Sequence, residues 1–406
     1  MPIASVVSGK GKKTDAENIS SIHIKYAENK LYIYRKKYIR MAKYIYQSES
    51  WPHFTWNERE IQVVLGKVRH LQGKLLGQMS VLGFSEKEET ILSTLTLDVL
   101  KSSEIEGEQL NYEQVRSSIA RRLGIEYAGM VYSDRNVEGV VEMMLDATQN
   151  YNQSLDEERL FGWHSALFPS GRSGMHKIDT GCYRTGEMQV VSGPMGKEKI
   201  HYQAPSPNVV KTEMDEFLNW FDNDTEIDLV LKAAIAHFWF IIIHPFDDGN
   251  GRIARTISDL LLARADDSSQ RFYSLSSQIL VERKVYYEIL QKVQHSNGDI
   301  TEWLLWFLNC LYKAIVSTED TVQKILYKAE FWDKNKDTIL NSRQRMMLNK
   351  LFDGFIGKLN TSKWAKISKC SQDTALRDIQ DLIEKRILAK SEDGGRSTNY
   401  ELKMKD

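Results

Sequence analysis

Residues 241–255 read IIIHPFDDGNGRIAR, and this stretch decides how the centre of the chain folds. The apolar run that leads into it predicts a buried helix. Pro245 ends that helix near His244, because the residue before a proline is pushed out of the α region. Asp247 to Gly251 form an acidic, glycine-rich turn, and a new helix is expected from about Asn250. The stretch therefore predicts two helices joined by a short loop.

The loop carries groups suited to binding the phosphates of a nucleotide. The first N–H groups of a helix and its dipole favour phosphate, and Gly249 and Gly251 let the backbone come close to it. Asp248 is an oxygen ligand of the kind that Mg²⁺ takes when it arrives on phosphates. Arg252 and Arg255 offer bidentate donors to phosphate oxygens.

His244 could accept a proton from a nucleophile near neutral pH. A lone histidine that closes an apolar helix is usually structural, and an acidic glycine turn is usually only a turn. Because His244 to Arg255 bring all of these groups together within 12 residues, we favour nucleotide chemistry over the structural interpretation.

The stretch resembles the signature of the Fic family, HPFx(D/E)GNGRxxR, and matches it at every fixed position. Members of that family mostly transfer AMP from ATP to a hydroxyl side chain of a protein. The resemblance implies that His244 is the general base and Asp248 the Mg²⁺ ligand. It also implies that Asn250 and the loop N–H groups hold the α-phosphate, and that Arg252 and Arg255 bind the β- and γ-phosphates.

The composition is that of a soluble globular protein. The hydrophobic content of 42% and the charged content of 27% are ordinary for a globular chain. The length of 406 residues predicts two or three domains. The net charge of −1 gives no general attraction to nucleic acid or membrane, and no apolar run reaches the length of a membrane span. Cys182, Cys310 and Cys370 lack paired spacing, which argues against disulfides or zinc and predicts a cytoplasmic location.

The patterns and the resemblance together predict a mainly α protein: a Fic helical core with a β-hairpin flap, preceded by a helical domain and followed by a winged helix. The expected regions are 41–125 for the N-terminal helical domain, 126–320 for the Fic catalytic core and 321–406 for a linker helix and the winged helix. Residues 1–40 are polar and basic with little periodicity. We expect Met41 to be the natural start, and a flexible basic arm is the alternative.

The end of the second predicted helix, about Ser85 to Ser103, reads SSEIEG. A glycine after a helix end is commonly just a cap. The segment nevertheless fits the inhibitory motif of Fic proteins, (S/T)xxxE(G/N), with Ser102, Glu106 and Gly107. The resemblance implies that Glu106 pairs with Arg255 and keeps the enzyme inactive. The alternative is a solvated Glu106, with Arg255 paired to a carboxylate on its own helix, Asp259.

Two further segments have family counterparts. Met188 to Ser192 and Lys199 to Tyr202 are strand-like, and they predict a hairpin whose first strand carries Met188, Gln189, Val190 and Val191. In the family such a flap holds the target segment by strand addition, although an ordinary surface hairpin would look the same. On the helix predicted from Glu282 to His295, the adenine pattern YYxxLxxx(N/Q) is matched by Tyr286, Tyr287, Leu290 and Gln294.

The C-terminal segment resembles a winged-helix domain. Helices are predicted at about Arg343 to Phe352, Ser362 to Ile367 and Thr374 to Lys385, followed by a wing around Gly394 and Gly395. DNA binding is the obvious function, but the last of these helices is not clearly basic. Its acidic residues are Asp373, Asp378, Asp381 and Glu384. A protein-docking or dimer role is at least as consistent with the charges.

The function implied is a cytoplasmic, Mg²⁺-dependent protein adenylyltransferase that is autoinhibited by Glu106. Its partners would be ATP and a target protein that the sequence does not identify, with self-AMPylation expected. Two alternatives remain open: a nucleotide-sensing transcriptional regulator, and a Fic enzyme that transfers another group or removes AMP. Formation of a homodimer and nucleic acid binding also remain open, and no membrane partner is expected.

Overall fold

The computed structural model of the chain describes residues 44–80, 84–125, 130–192, 199–352, 355, 357–391 and 398–403. The predicted arm at 1–40, the flap turn at 193–196 and the glycine pair Gly394 and Gly395 lie outside these residues. The described residues form helices and short antiparallel strand pairs, so the prediction of a mainly α protein is confirmed. They divide into two compact units, residues 44–80 with 87–318 and residues 84–86 with 319–403.

The first unit is built mainly of helices. In chain order they are α1 (Glu58–Ser80), α2 (Phe84–Ile105), α3 (Tyr112–Leu123), α4 (Arg135–Gln149), α5 (Glu157–Leu167), α6 (Pro207–Asn223), α7 (Leu229–Ile243), α8 (Asn250–Asp266), α9 (Leu275–Val281), α10 (Arg283–Val293) and α11 (Thr301–Lys334). Residues 84–86 of α2 and 319–334 of α11 belong to the second unit. Two hairpins lie between α5 and α6. They are β1 (Arg172–Ser173) with β2 (His176–Lys177), and β3 (Gln189–Ser192) with β4 (Lys199–Gln203).

The helices α7 and α8 form the centre of this unit. Every residue of α7 except Leu229 and Ile241 is buried, as its apolar sequence predicts. The Asp228 side chain caps its N-terminus by accepting from the N–H groups of Val230 and Leu231. Since α8 is also buried along most of its length, the loop between the two helices is held at both ends by the core.

The N-terminal segment packs on the same core. The ring of Phe54 lies 5.9 Å from that of Phe238 and 5.7 Å from that of Trp239, centroid to centroid. Arg69 on α1 pairs with Asp228 at 2.9 Å, next to the start of α7. The helices ahead of the signature are therefore part of the compact unit that contains it.

The helix α11 continues without a break from Thr301 to Lys334. The polar pair Ser317 and Thr318 does not break it, because both hydroxyls donate to the Ala314 carbonyl one turn back. The sequence from Thr301 to Lys334 also contains neither proline nor glycine, the residues that most often stop a helix.

Within its described residues, the second unit contains three further helices and one pair of strands. They are α12 (Ser342–Phe352), α13 (Thr361–Ser368), α14 (Gln372–Glu384), β5 (Leu388–Lys390) and β6 (Tyr400–Leu402). The strands β5 and β6 are antiparallel, and Leu359 forms an additional bridge to Tyr400. The unit has its own core, built around the fully buried Trp364.

Candidate active site

His244 closes α7 in a left-handed conformation, with φ 51° and ψ 59°. Its N–H still donates to the Phe240 carbonyl over 2.9 Å, so the residue is the last one tied to the helix. The left-handed region costs an L-residue about 1–2 kcal/mol, so surrounding contacts must stabilise it. Pro245 then prevents the helix from continuing.

Arg184 supplies those contacts. Its guanidinium is buried and donates to the carbonyls of His244 at 2.8 Å, Pro205 at 2.6 Å and Gly186 at 2.9 Å. The backbone N–H of Arg184 donates to the Pro245 carbonyl over 2.9 Å. The carbonyls at a helix end lack partners within the helix, and Arg184 satisfies them. Sequence reasoning missed this residue, since a single arginine in a polar loop belongs to no recognisable motif.

The His244 ring has a defined tautomer. Its Nδ1 lies 3.1 Å from the Ile241 carbonyl, which can only accept, so Nδ1 carries the proton and Nε2 is the acceptor. Burial lowers the pKa of His244, and Arg184 adds to this, while the Ile241 carbonyl, Glu106 and Asp248 work against it. The imidazole is therefore neutral near pH 7, which is the state that a general base requires.

Asn250 fixes the shape of the loop. Its Oδ1 accepts from the Phe246 N–H over 3.0 Å, and its Nδ2 donates to the Phe246 carbonyl over 2.8 Å. Gly249 has φ 81°, and a Cβ there would lie 2.9 Å from the Phe168 ring. The Asn250 amide is thus committed to the loop, and its contribution to the predicted phosphate cradle is the backbone N–H in the first turn of α8.

The start of α8 offers unsatisfied donors. The first N–H groups of any helix have no intrahelical partners. In α8 the residue before the helix, Gly249, provides no side-chain cap for them either. Within the described part of the chain, Arg252 Nε and Arg255 Nη1 are buried without a hydrogen-bond partner. Buried donors without partners are unfavourable unless an anion meets them. This donor set fits a chain of nucleotide phosphates.

Asp248 is held by two neighbours. The hydroxyl of Ser173 donates to its Oδ2, and the N–H of Gly249 donates to its Oδ1 over 2.6 Å. Ser173 belongs to the β1–β2 hairpin, a segment that the sequence analysis did not single out. A Mg²⁺ ion bound to nucleotide phosphates takes one or two protein carboxylates, and Asp248 is oriented to be one of them.

The structure pairs Arg255 with α2. Its Nη2 donates to Glu106 Oε1 over 2.7 Å, and its Nε and Nη2 donate to the hydroxyl and carbonyl of Ser102, both over 2.9 Å. Gly107 follows with φ 86° and lets the chain turn away at once. Asp259, the alternative partner, instead pairs with Arg271 at 3.2 Å. Of the three residues in the predicted inhibitory motif, Ser102 and Glu106 therefore contact Arg255, and Gly107 follows them at the turn.

The predicted adenine residues on α10 differ in exposure. Tyr286, Leu290 and Gln294 are buried, whereas the Tyr287 ring is exposed and lies under Arg283. The Gln294 amide donates to the His201 carbonyl of β4 over 2.7 Å, which links α10 to the flap. The structure thus leaves Tyr287 as the accessible aromatic surface of this group.

The β3–β4 hairpin presents apolar side chains to solvent. Gln189 pairs with Gln203 and Val190 with Tyr202, and a register shift follows before Val191 pairs with Ile200. Met188 lies just outside the strand, and its carbonyl accepts from the Ala204 N–H over 3.0 Å. Val190, Val191 and Ile200 are 38%, 46% and 50% exposed, which suits a strand that meets another chain.

Two other histidines are buried near the loop. His237 contacts the hydroxyls of Ser258 and Tyr286, both at 3.0 Å. His164 stacks on the Phe246 ring at 4.2 Å. Burial lowers the pKa of His237 to about 3 and that of His164 to about 4, so both are neutral core residues.

Parts of the chain are similar to known families and proteins. Residues 154–262 match the model described as the Fic/DOC family, and residues 44–125 match a domain of unknown function, DUF4172. A protein adenylyltransferase Fic of Nematostella vectensis is 30% identical over 34% of this chain and 29% of its own length. A probable protein adenylyltransferase of Aquifex aeolicus (strain VF5) is 41% identical over 15% of this chain and 19% of its own length.

This chain therefore spans less than a third of the length of either relative. Among solved structures, a Fic family protein from Desulfovibrio desulfuricans G20 superposes with a TM-score of 0.52 at 20% identity, over 87% of this chain and 99% of that one. That similarity concerns the fold. Across the described residues, no helix is long and apolar enough to cross a membrane. The segment similar to the Fic/DOC family model, residues 154–262, includes the loop from His244 to Arg255.

Proposed function

We propose that the protein is an adenylyltransferase that transfers AMP from ATP to a hydroxyl side chain of a protein. One observation carries this proposal: a neutral His244 with a free Nε2 stands beside a helix N-terminus whose two arginines retain unpartnered buried N–H groups. The adenylyltransferase relatives support it, although the chain matches only part of each.

In the proposed reaction, His244 Nε2 takes the proton of the target hydroxyl as the oxygen attacks the α-phosphorus. The bond from the α-phosphorus to the oxygen bridging to the β-phosphate breaks, and pyrophosphate leaves. Arg252, Arg255 and the first N–H groups of α8 stabilise the charge that develops on the phosphates. Mg²⁺, with Asp248 as a ligand, would supply further neutralisation of that charge.

The flap and α10 would position the two substrates. The exposed apolar side chains of β3 and β4 suit a target segment that adds as a strand, and the Tyr287 ring suits the adenine. The contact from Gln294 to His201 would keep the nucleotide pocket and the flap in register. We also infer a cytoplasmic location, because ATP is the substrate and Cys182, Cys310 and Cys370 are free thiols.

Labelled ATP tests the proposal. Because Glu106 occupies Arg255, the measurement is best made in Glu106→Gly protein, incubated with labelled ATP and cell lysate. His244→Ala in that background should cut transfer by ~10²–10⁴-fold, as expected for a lost general base. His70→Ala is the matched control, since it removes an exposed histidine on α1, outside the proposed chemistry. Undiminished labelling by the His244→Ala variant would contradict the proposed mechanism.

A second candidate is DNA binding by the second unit, and the placement of its acidic residues favours it. Asp378 is buried and receives two bonds from Arg343 at 2.8 and 3.0 Å. Asp381 accepts from Gln344 at 2.6 Å and from Lys385 at 2.5 Å. Two of the four acidic residues that argued against DNA binding, Asp378 and Asp381, are therefore paired with basic side chains of the same unit.

Basic side chains remain exposed on α13, on the turn after it and on α14, at Lys366, Lys369 and Arg377. A gel shift of the full chain on genomic fragments tests this candidate. Binding should weaken steeply with salt, and Lys366→Glu with Lys369→Glu should abolish it. Salt-independent retardation, or none, would exclude DNA as the partner.

A further inference from the structure

A second carboxylate holds the other arginine of the loop. Glu108 Oε2 accepts from Arg252 Nη1 over 2.7 Å. The Arg252 side chain is 7% exposed and lies over the Phe168 ring at 5.0 Å, whereas the Glu108 side chain is 39% exposed. The Fic-type inhibitory motif ends at Gly107, so sequence reasoning did not single out this residue.

The end of α2 determines where Glu108 lies. The Gly107 N–H donates to the Glu104 carbonyl over 3.0 Å, and the Glu108 N–H donates to the Ser103 carbonyl over 3.0 Å. These two bonds, with Gly107 at φ 86°, form a Schellman cap that reverses the chain. The cap presents Glu106 and Glu108 on either side of one glycine, and it does so independently of their contacts with arginine.

The two acceptors match the two donors. Arg252 and Arg255 lie three residues apart on α8, which places them on one helix face. Glu106 contacts Arg255, and Glu108 contacts Arg252. The Glu106 carboxylate also lies against the loop glycine, since a Cβ on Gly251 would clash with Glu106 Oε1. Both arginines proposed to bind the β- and γ-phosphates are thus occupied by carboxylates.

We propose that Glu108 sets the nucleotide selectivity of this site by the number of phosphates, through its pairing with Arg252. A nucleotide with only an α-phosphate can use the N–H groups of the loop without displacing either carboxylate. A nucleotide with further phosphates must displace Glu108 from Arg252 as well as Glu106 from Arg255. The inference rests on the proposed function, and it adds a second residue that ATP must compete with.

The test compares the binding of ATP and AMP to the full chain by calorimetry. Glu108→Gln should tighten ATP by roughly 3- to 10-fold, because it replaces a charged acceptor with a neutral one, and it should leave AMP unchanged. The gain should shrink at high salt, since the pair is partly exposed. Glu104→Gln is the matched control, because Glu104 lies in the same turn but pairs with Lys101 at 2.7 Å.

If Glu108 only caps α2, the ratio of the ATP affinity to the AMP affinity will be the same in Glu108→Gln as in wild type, and that result would overturn the proposal. Labelled transfer by Glu106→Gly protein would in that case still support the proposed function. Adding Glu108→Gln to Glu106→Gln should tighten ATP further, because the two carboxylates hold different arginines. If neither nucleotide binds any variant, both the selectivity role and the proposed function are wrong.

Discussion

Carboxylate and arginine side chains meet in two groups near α2 and α8, and the groups differ in exposure. The upper level consists of Glu106 and Glu108, just after α2, with Arg255 and Arg252, and the lower level is Asp259 with Arg271, which follows α8. At the upper level, the carboxylate side chains of Glu106 and Glu108 are 34% and 39% exposed. At the lower level, Asp259 and Arg271 are 1% and 0% exposed, and the carboxyl of Asp98 on α2 is buried beside them. A partly exposed carboxylate can give way to another anion, whereas a buried pair cannot separate without leaving a charge unpaired. Exposure therefore distinguishes the contacts for which we propose a regulatory role from the buried pair.

The largest expected effect comes from breaking the lower level. Arg271→Ala removes the partner of Asp259 and of Asp266, the latter at 3.4 Å. Because it leaves buried carboxylates without a counter-charge, the free energy of unfolding should fall by about 3–5 kcal/mol. Urea unfolding monitored by circular dichroism measures this change. Glu108→Gln at the upper level is the control and should cost no more than about 1 kcal/mol. Equal losses in the two variants would mean that exposure does not separate the levels.

The second prediction concerns removal of the Glu106 carboxylate from the upper level. Glu106→Gly frees Arg255 for the γ-phosphate, and self-AMPylation from labelled ATP should rise by ~10²-fold, since misplacement of a substrate by about 1 Å costs that much. Arg255→Ala added to it should abolish the gain. A folded Glu106→Gly protein whose labelling equals or falls below wild type would contradict the inhibitory role.

The smallest expected effect is a pH dependence of stability that comes from the buried carboxyls of the lower level. Burial raises the pKa of Asp98 well above its usual value, and Asp259 adds to this, whereas Arg271 and Ser274 oppose it. Burial likewise raises the pKa of Asp259 to about 6. A folded pKa above the unfolded value contributes stability that is complete below the unfolded pKa and is lost as pH rises through the folded one.

The substitution Asp98→Asn replaces the titrating carboxyl with an amide, so the variant should gain stability relative to wild type across the pH range that begins at about 4, the usual pKa of an aspartate. Melting temperatures of the two proteins across that range measure the difference. Glu104→Gln, a substitution at a more exposed site of α2, should follow the wild-type profile. A constant difference between Asp98→Asn and wild type would mean that folding does not raise the pKa of the Asp98 carboxyl.

The loop itself was largely readable from the sequence, because its geometry depends on neighbours in the chain. Pro245 stops α7, Gly249 permits a positive φ, and Asn250 bonds back to Phe246 four residues earlier. The residues that support the loop were not readable. Arg184 and Ser173 lie 60 and 75 residues from the groups they contact, and a lone arginine or serine has no periodicity to mark it.

The end of α2 lies between these cases. Gly107 indicated a cap, and the motif pointed to Glu106, but Glu108 has the same local sequence character as any solvated glutamate. Its bond to Arg252 joins residues 144 positions apart, so only the packing of α2 against α8 selects it. The acidic residues of α14 show the opposite error, since their number in the sequence did not reveal that Asp378 faces inward to Arg343.

By itself the sequence determined the order of helices, the loop between α7 and α8 and the identity of the groups offered to phosphate, because helical periodicity, proline and glycine act over a few residues. The tertiary structure decided which charges meet. Whether Arg255 pairs with Asp259 four positions along its own helix or with Glu106 on another depends on burial and on side-chain direction. Both are properties of the packed core, since the free energy of an ion pair is set by the solvent that packing removes from it.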